Sequence, residues 1–108
     1  MNPANLFSNI PEGVFDDEVF TTLLETDNVK IERILSCGQT SEEYYDQEEG
    51  EFVVLLRGNA SLEFLDGSGE KSTLNMTQGS YVFIKPHHKH KVTFTSEECV
   101  WLCIFIKN

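Results

Sequence analysis

The chain has 108 residues, of which 40% are hydrophobic and 24% charged, enough for one domain with one core and too few for two. Its 18 acidic and 8 basic side chains leave a formal net charge of -10, which argues against nucleic acid and anionic membrane surfaces as partners. No run approaches the ~18 consecutive apolar residues of a membrane span, and Met1-Asn2-Pro3-Ala4-Asn5 lacks the basic start and apolar stretch of a secretion signal, so a cytoplasmic location is expected.

Residues 1–16 mix Asn, Pro and Gly with single apolar residues at Leu6, Phe7, Ile10, Val14 and Phe15. That pattern fits an irregular arm laid over a domain spanning residues 17–108. Val19 to Leu24 reads as a strand and Asp27-Asn28 as a turn. Val29 to Leu35 is a second strand, whose period of two puts Val29, Ile31 and Arg33 on one face and Lys30, Glu32 and Ile34 on the other. Neither strand carries evident catalytic chemistry. An acidic stretch from Glu42 to Glu51 surrounds Tyr44-Tyr45, and Phe52 to Leu56 follows as a continuous apolar run closed by Gly58, the mark of a strand buried on both sides.

Ser61 to Leu65 alternates with Leu62 and Phe64 inward, and Asp66-Gly67-Ser68-Gly69 is a hairpin signal leading into Lys71 to Leu74. Gln78-Gly79 turns the chain into Tyr81 to Ile84. Lys85-Pro86-His87-His88-Lys89-His90 then gathers all 3 histidines before the alternating run Val92 to Thr95. The last strand, Cys99 to Ile106, is apolar on both faces and reads as central. Cys99 and Cys103 share it four positions apart, about 13 Å at roughly 3.3 Å per residue, beyond disulfide reach near 7 Å. Reduced, partly buried thiols are expected, with Trp101 and Phe105 as core beside them. About eight or nine short strands and no helix make an all-β barrel or sandwich.

Two glycine-anchored segments resemble the motifs of the cupin superfamily. The first motif runs Gly, five residues, His-x-His, three or four residues, Glu, six residues, Gly. Gly38, Tyr44, Asp46, Glu51 and Gly58 reproduce its spacing with both histidines replaced. The second motif, Gly, five residues, Pro-x-Gly-x-x-His, maps onto Gly79 through His90, with Pro86 one position late and His87 at the glycine position. The wording around Tyr45-Asp46-Gln47, Glu51 to Gly58 and His87 to Val92 is similar to a subgroup of small single-domain bacterial cupins. The resemblance implies a jelly-roll barrel enclosing a ligand or metal pocket. It implies no single activity, since the same barrel serves oxygenases, isomerases, storage proteins and sensors.

Parity points to a site at the barrel mouth. Glu51, Val53 and Leu55 share one inward stripe, and His90, Val92 and Phe94 are expected to share another, so Glu51 and His90 cap two apolar stripes. With Asp46 and His87 they form a candidate metal set, suited to zinc, iron, manganese or nickel. Tyr44 and Gln47 are candidate contacts to a bound small molecule, and His88 is expected to be exposed. The competing reading is a metal-free pocket in which Glu51 pairs with His90 or Lys89 and the barrel holds a small ligand without turnover. Phe52, Val54 and Leu56, with Val100, Leu102 and Ile104, lie opposite the inward stripes, so a homodimer covering them is expected.

Overall fold

Period-two alternation becomes eight antiparallel strands in the computed structural model, which describes residues 1–107. They are β1 (Val19–Glu25), β2 (Val29–Ser36), β3 (Gly50–Arg57), β4 (Ala60–Leu65), β5 (Lys71–Met76), β6 (Tyr81–Ile84), β7 (Lys89–Thr95) and β8 (Cys99–Ile106). The described residues contain no helix, and so none long and apolar enough to cross a membrane. A five-stranded sheet ordered β1-β2-β8-β3-β6 faces a three-stranded sheet ordered β5-β4-β7, the double-sheet jelly roll that the motif resemblance implied.

The core lies between the sheets. Val53 and Leu55 from β3, Ala60, Leu62 and Phe64 from β4, and Cys99, Trp101 and Cys103 from β8 form one buried cluster with Met76 and Ile84. β8 takes the centre because it is apolar on both sides: Trp101 and Cys103 enter the core while Leu102 and Ile104 face outward. The turn from β3 to β4 depends on Gly58, whose φ is +96° and whose absent Cβ would sit 2.1 Å from the Glu98 carbonyl oxygen. A side chain there meets both backbone strain and a backbone clash.

One expected core residue is not in the core. Phe94 is 51% exposed, because β7 carries an extra residue against β4: Ser61 pairs with Phe94 and Leu62 with Val92, leaving Thr93 unopposed. A bulge reverses the parity beyond it. Thr95 is therefore buried in the place that simple alternation would give to Phe94.

The N-terminal arm covers part of the outer face of β2. Arg33 Nη1 donates to the carbonyls of Leu6 and Ser8 at 3.0 and 2.6 Å, Gln39 donates to the Phe15 carbonyl at 2.8 Å, and the Arg57 guanidinium lies 4.5 Å over the Phe7 ring. Leu35 and Val100 are buried behind this cover. Farther along the same face, β-ladder neighbours form a row across all five strands: Leu24, Ile31, Ile104, Phe52 and Phe83. Leu24 and Phe83 at its ends are about half exposed, as is Ile106 beside it.

Two outcomes follow from this packing. Leu55→Ala, at a fully buried position, should cost about 2–5 kcal/mol in denaturant unfolding. The uncovered row should be closed by a second copy: light scattering should return twice the single-chain mass at micromolar concentration, and Phe52→Glu, at the row's centre, should return the single-chain mass with the circular dichroism spectrum unchanged.

Candidate functional site

Between the sheets is a cavity of about 230 Å³. Its wall is mostly apolar, built from Phe20, Ile34, Val53, Leu62, Ile84, Val92, Trp101 and Phe105, and into it project Glu18, Glu32, Tyr45, Gln47, Glu51, His90 and Cys103.

The segment before β3 decides which of its side chains reach the cavity. It runs along the free edge of β7: Tyr45 N donates to the His90 carbonyl at 2.7 Å, His90 N to the Tyr45 carbonyl at 3.2 Å, Ser41 N to the Val92 carbonyl at 2.8 Å and His87 N to the Gln47 carbonyl at 2.8 Å. In an extended segment so paired, alternate residues face opposite ways. Tyr45 and Gln47 line the cavity while Tyr44 and Asp46 do not. Tyr44 instead donates its hydroxyl to Glu63 on the outer face of β4 and carries Lys91 4.7 Å over its ring. That hydrogen bond holds the Glu63 carboxyl below its ordinary range and pushes the Tyr44 hydroxyl above its own.

The four candidate metal ligands divide into two pairs. Asp46 Oδ1 accepts from His87 Nδ1 at 2.7 Å at the rim, with side chains 44% and 65% exposed. His87 reaches this position with a φ of +62°, the left-handed conformation that the motif's glycine would take without strain. Glu51 and His90 form the second pair inside, with His90 Nε2 3.9 Å from Glu51 Oε1 and both side chains at least nine-tenths buried. His90 Nδ1 lies 2.9 Å from the His88 carbonyl. A carbonyl only accepts, so Nδ1 carries the proton and Nε2 is left facing the cavity. Gln47 Nε2 donates to Glu51 Oε1 at 2.8 Å, and the Tyr45 and Phe64 rings flank the imidazole with centroids 5.6 and 6.0 Å away. His88, half-buried, rests 4.9 Å from the Phe64 ring.

Among the described residues no group of three His, Cys, Asp or Glu side chains could hold a metal together. Two donors converge, and the amide beside them presents its donating nitrogen to the carboxylate. The structure thus brings the candidate ligands together two by two, Glu51 with His90 inside and Asp46 with His87 at the rim.

Glu18, just before β1, and Glu32 on β2 reach the cavity from segments without evident catalytic chemistry. The Ser36 hydroxyl donates to the Glu18 carboxylate and receives Trp101 Nε1 at 3.1 Å, while Lys30 lies 3.6 Å from Glu32. The signal was present as the polar and apolar faces of β2, but period two does not say which face turns inward when both carry apolar residues. Tyr45 was legible in another way. The first motif allows three residues before its glutamate as well as four, and a three-residue spacing to Glu51 starts from Tyr45 and Gln47.

The comparisons accord with this geometry. The model of the cupin domain matches residues 32–105. The chain belongs to the cupin family. Its backbone superposes on a protein of Ralstonia eutropha JMP134, named provisionally as a mannose-6-phosphate isomerase, with a TM-score of 0.88 and 34% identity over 100% of both chains. A cupin superfamily protein of Desulfitobacterium hafniense superposes at 0.81 with 13% identity, over 100% of this chain and 94% of that one. Oxalate decarboxylase of Bacillus subtilis, whose structure concerns its Mn(II) centres, matches at 0.69 with 16% identity over 83% of this cupin and 25% of the decarboxylase. No curated protein matches the chain.

All three cysteines of this cupin are free, Cys37 half-buried and the others buried. Burial pushes the Cys103 thiol well up, and the neighbouring Glu51, Glu32 and Glu18 carboxylates add to the effect. A raised folded-state value means that the native state holds this proton after the unfolded chain, with a thiol near 8.5, has begun to release it. Stability linked to Cys103 is therefore present below about pH 8.5 and lost as pH rises above it. The melting temperature of the wild type should fall more steeply above that pH than that of Cys103→Ala. A thiol reagent should label Cys37 in the native protein, and Cys99 and Cys103 only after unfolding.

Proposed function

We propose that this cupin binds a small molecule in the barrel cavity through His90, Glu51 and Gln47, without a resident metal. The observation that carries the reading is the inner pair itself. An imidazole and a carboxylate, both nine-tenths buried, line an apolar-walled cavity 3.9 Å from each other. Glu51 already accepts from Gln47, and a ligand can take up the hydrogen-bonding capacity that remains. A volume of about 230 Å³ is below the usual range for drug-sized ligands, which limits the ligand to a few rings or fewer.

The activity named for the Ralstonia relative would bring a phosphate into this space. Glu18, Glu32 and Glu51 all line it and no Lys or Arg does, so a dianion would enter a field of its own sign. That substrate is not carried over to this chain.

One observation favours a second reading. Donor atoms 3.9 Å apart are close enough for one divalent ion, about 2.1 Å from each, to lie between them, with substrate or solvent as the remaining ligands. Elemental analysis of protein purified without an affinity tag decides between the two, after loading in turn with zinc, iron, manganese and nickel. Metal well below one ion per chain, equal in wild type and His90→Ala, is the expected result. Stoichiometric metal that disappears in His90→Ala would replace the ligand reading with the metal one.

A further inference from the structure

With the His90 ring neutral, the inner pair consists of two acceptors with no donor between them. Nδ1 then donates to the His88 carbonyl at 2.9 Å, which leaves Nε2 as the accepting nitrogen, and Glu51 Oε1 accepts from Gln47 at 2.8 Å. At 3.9 Å the two atoms are too far apart to hydrogen-bond to each other. A single atom bearing two N–H bonds, placed about 2.9 Å from each, closes that gap with two hydrogen bonds. The charge of the surroundings selects which such atom. Glu18 and Glu32 line the same cavity as Glu51, and Lys30, 3.6 Å from Glu32, stands outside the lining, which among the described residues includes no Lys or Arg. Phe20, Trp101 and Phe105 of the five-stranded sheet add aromatic rings to the lining, Phe105 as the cross-strand neighbour of Glu51, and against them an apolar body or an ammonium group packs favourably.

From these features we infer that the ligand is a small primary amine in its ammonium form with an apolar or aromatic body. Its nitrogen bridges His90 Nε2 and Glu51 Oε1, and its body lies along Trp101. The inference rests on the cavity being a small-molecule site, and it names the chemical class that site takes. Carboxylates, phosphates and other small anions are excluded by the same three glutamates.

Trp101 is the sole tryptophan of the chain and lines the cavity, so its fluorescence reports occupancy directly. Four probes of one shape separate the possibilities at neutral pH: benzylamine, benzyl alcohol, benzoate and benzyltrimethylammonium. Benzylamine should bind at least about tenfold more tightly than benzyl alcohol, the worth of a charge-assisted hydrogen bond. Benzyltrimethylammonium, a cation without N–H donors, should bind as weakly as the alcohol, and benzoate should leave the signal unchanged. Glu51→Gln and His90→Gln, each verified as folded by circular dichroism, should remove the preference for the amine over the alcohol. Should either variant fail to fold, the four-probe comparison on the wild type decides alone. Alcohol or benzoate binding as tightly as benzylamine overturns the amine inference and leaves the cavity reading standing. Equal binding of the trimethylated cation overturns the bridging by two N–H donors. If none of the four alters Trp101 fluorescence, the cavity reading falls with the inference.

Discussion

The paired hydrogen bonds between Tyr45 and His90 fix the phase of everything at the barrel mouth. A strand edge offers donors and acceptors on alternate residues only, so once Tyr45 docks on β7, the inward set is Tyr45, Gln47 and, past the loop, Glu51. A slip of one residue would bring Tyr44 and Asp46 inside and expel the amide that steadies Glu51. The backbone register, rather than any one side-chain contact, thus determines that this segment brings Tyr45 and the Gln47 amide to the cavity beside His90 and Glu51.

Sequence periodicity made β2, β3, β4 and β8 legible because each buries at least one face, and the turns around them carry Gly, Asn or Asp. Glu51 and His90 were legible for the same reason, since each caps an apolar stripe that the pleat aims inward. The phase of the segment from Ser41 to Gln47 was not, because it alternates no apolar residues that could show its inner side. Phe94 was misplaced by a single unpaired residue, Thr93, whose effect depends on the partner strand and leaves no local mark. Glu18 and Glu32 escaped notice because a carboxylate on a strand ordinarily means solvent, and only closure of the barrel turns that face into an interior.

The two surfaces of the five-stranded sheet have opposite characters. Inside, apolar walls raise the strength of every electrostatic contact made by the few polar groups that remain. Outside, the same strands present a nearly uncharged band, although the chain as a whole carries a formal charge of -10. The acidity is concentrated in loops and at the mouth, while the small sheet carries Glu63 against Lys71, Lys89 and Lys91. Like charge therefore opposes contact through the loops and the mouth and leaves the apolar band free of that opposition.

The arm and the barrel are easily drawn as two pieces, with the border near residue 17. The guanidinium of Arg33 ties one to the other. It is buried against β2, its Nη1 is satisfied only by the Leu6 and Ser8 carbonyls, and its Nε has no partner among the described residues. A barrel trimmed to residue 17 would lose both carbonyls and at the same time open the guanidinium to water, along with Leu35 and Val100 behind the arm. The arm is thus a lid on apolar surface as much as a partner for the cation, and a scaffold cut without it exchanges two hydrogen bonds for an exposed patch.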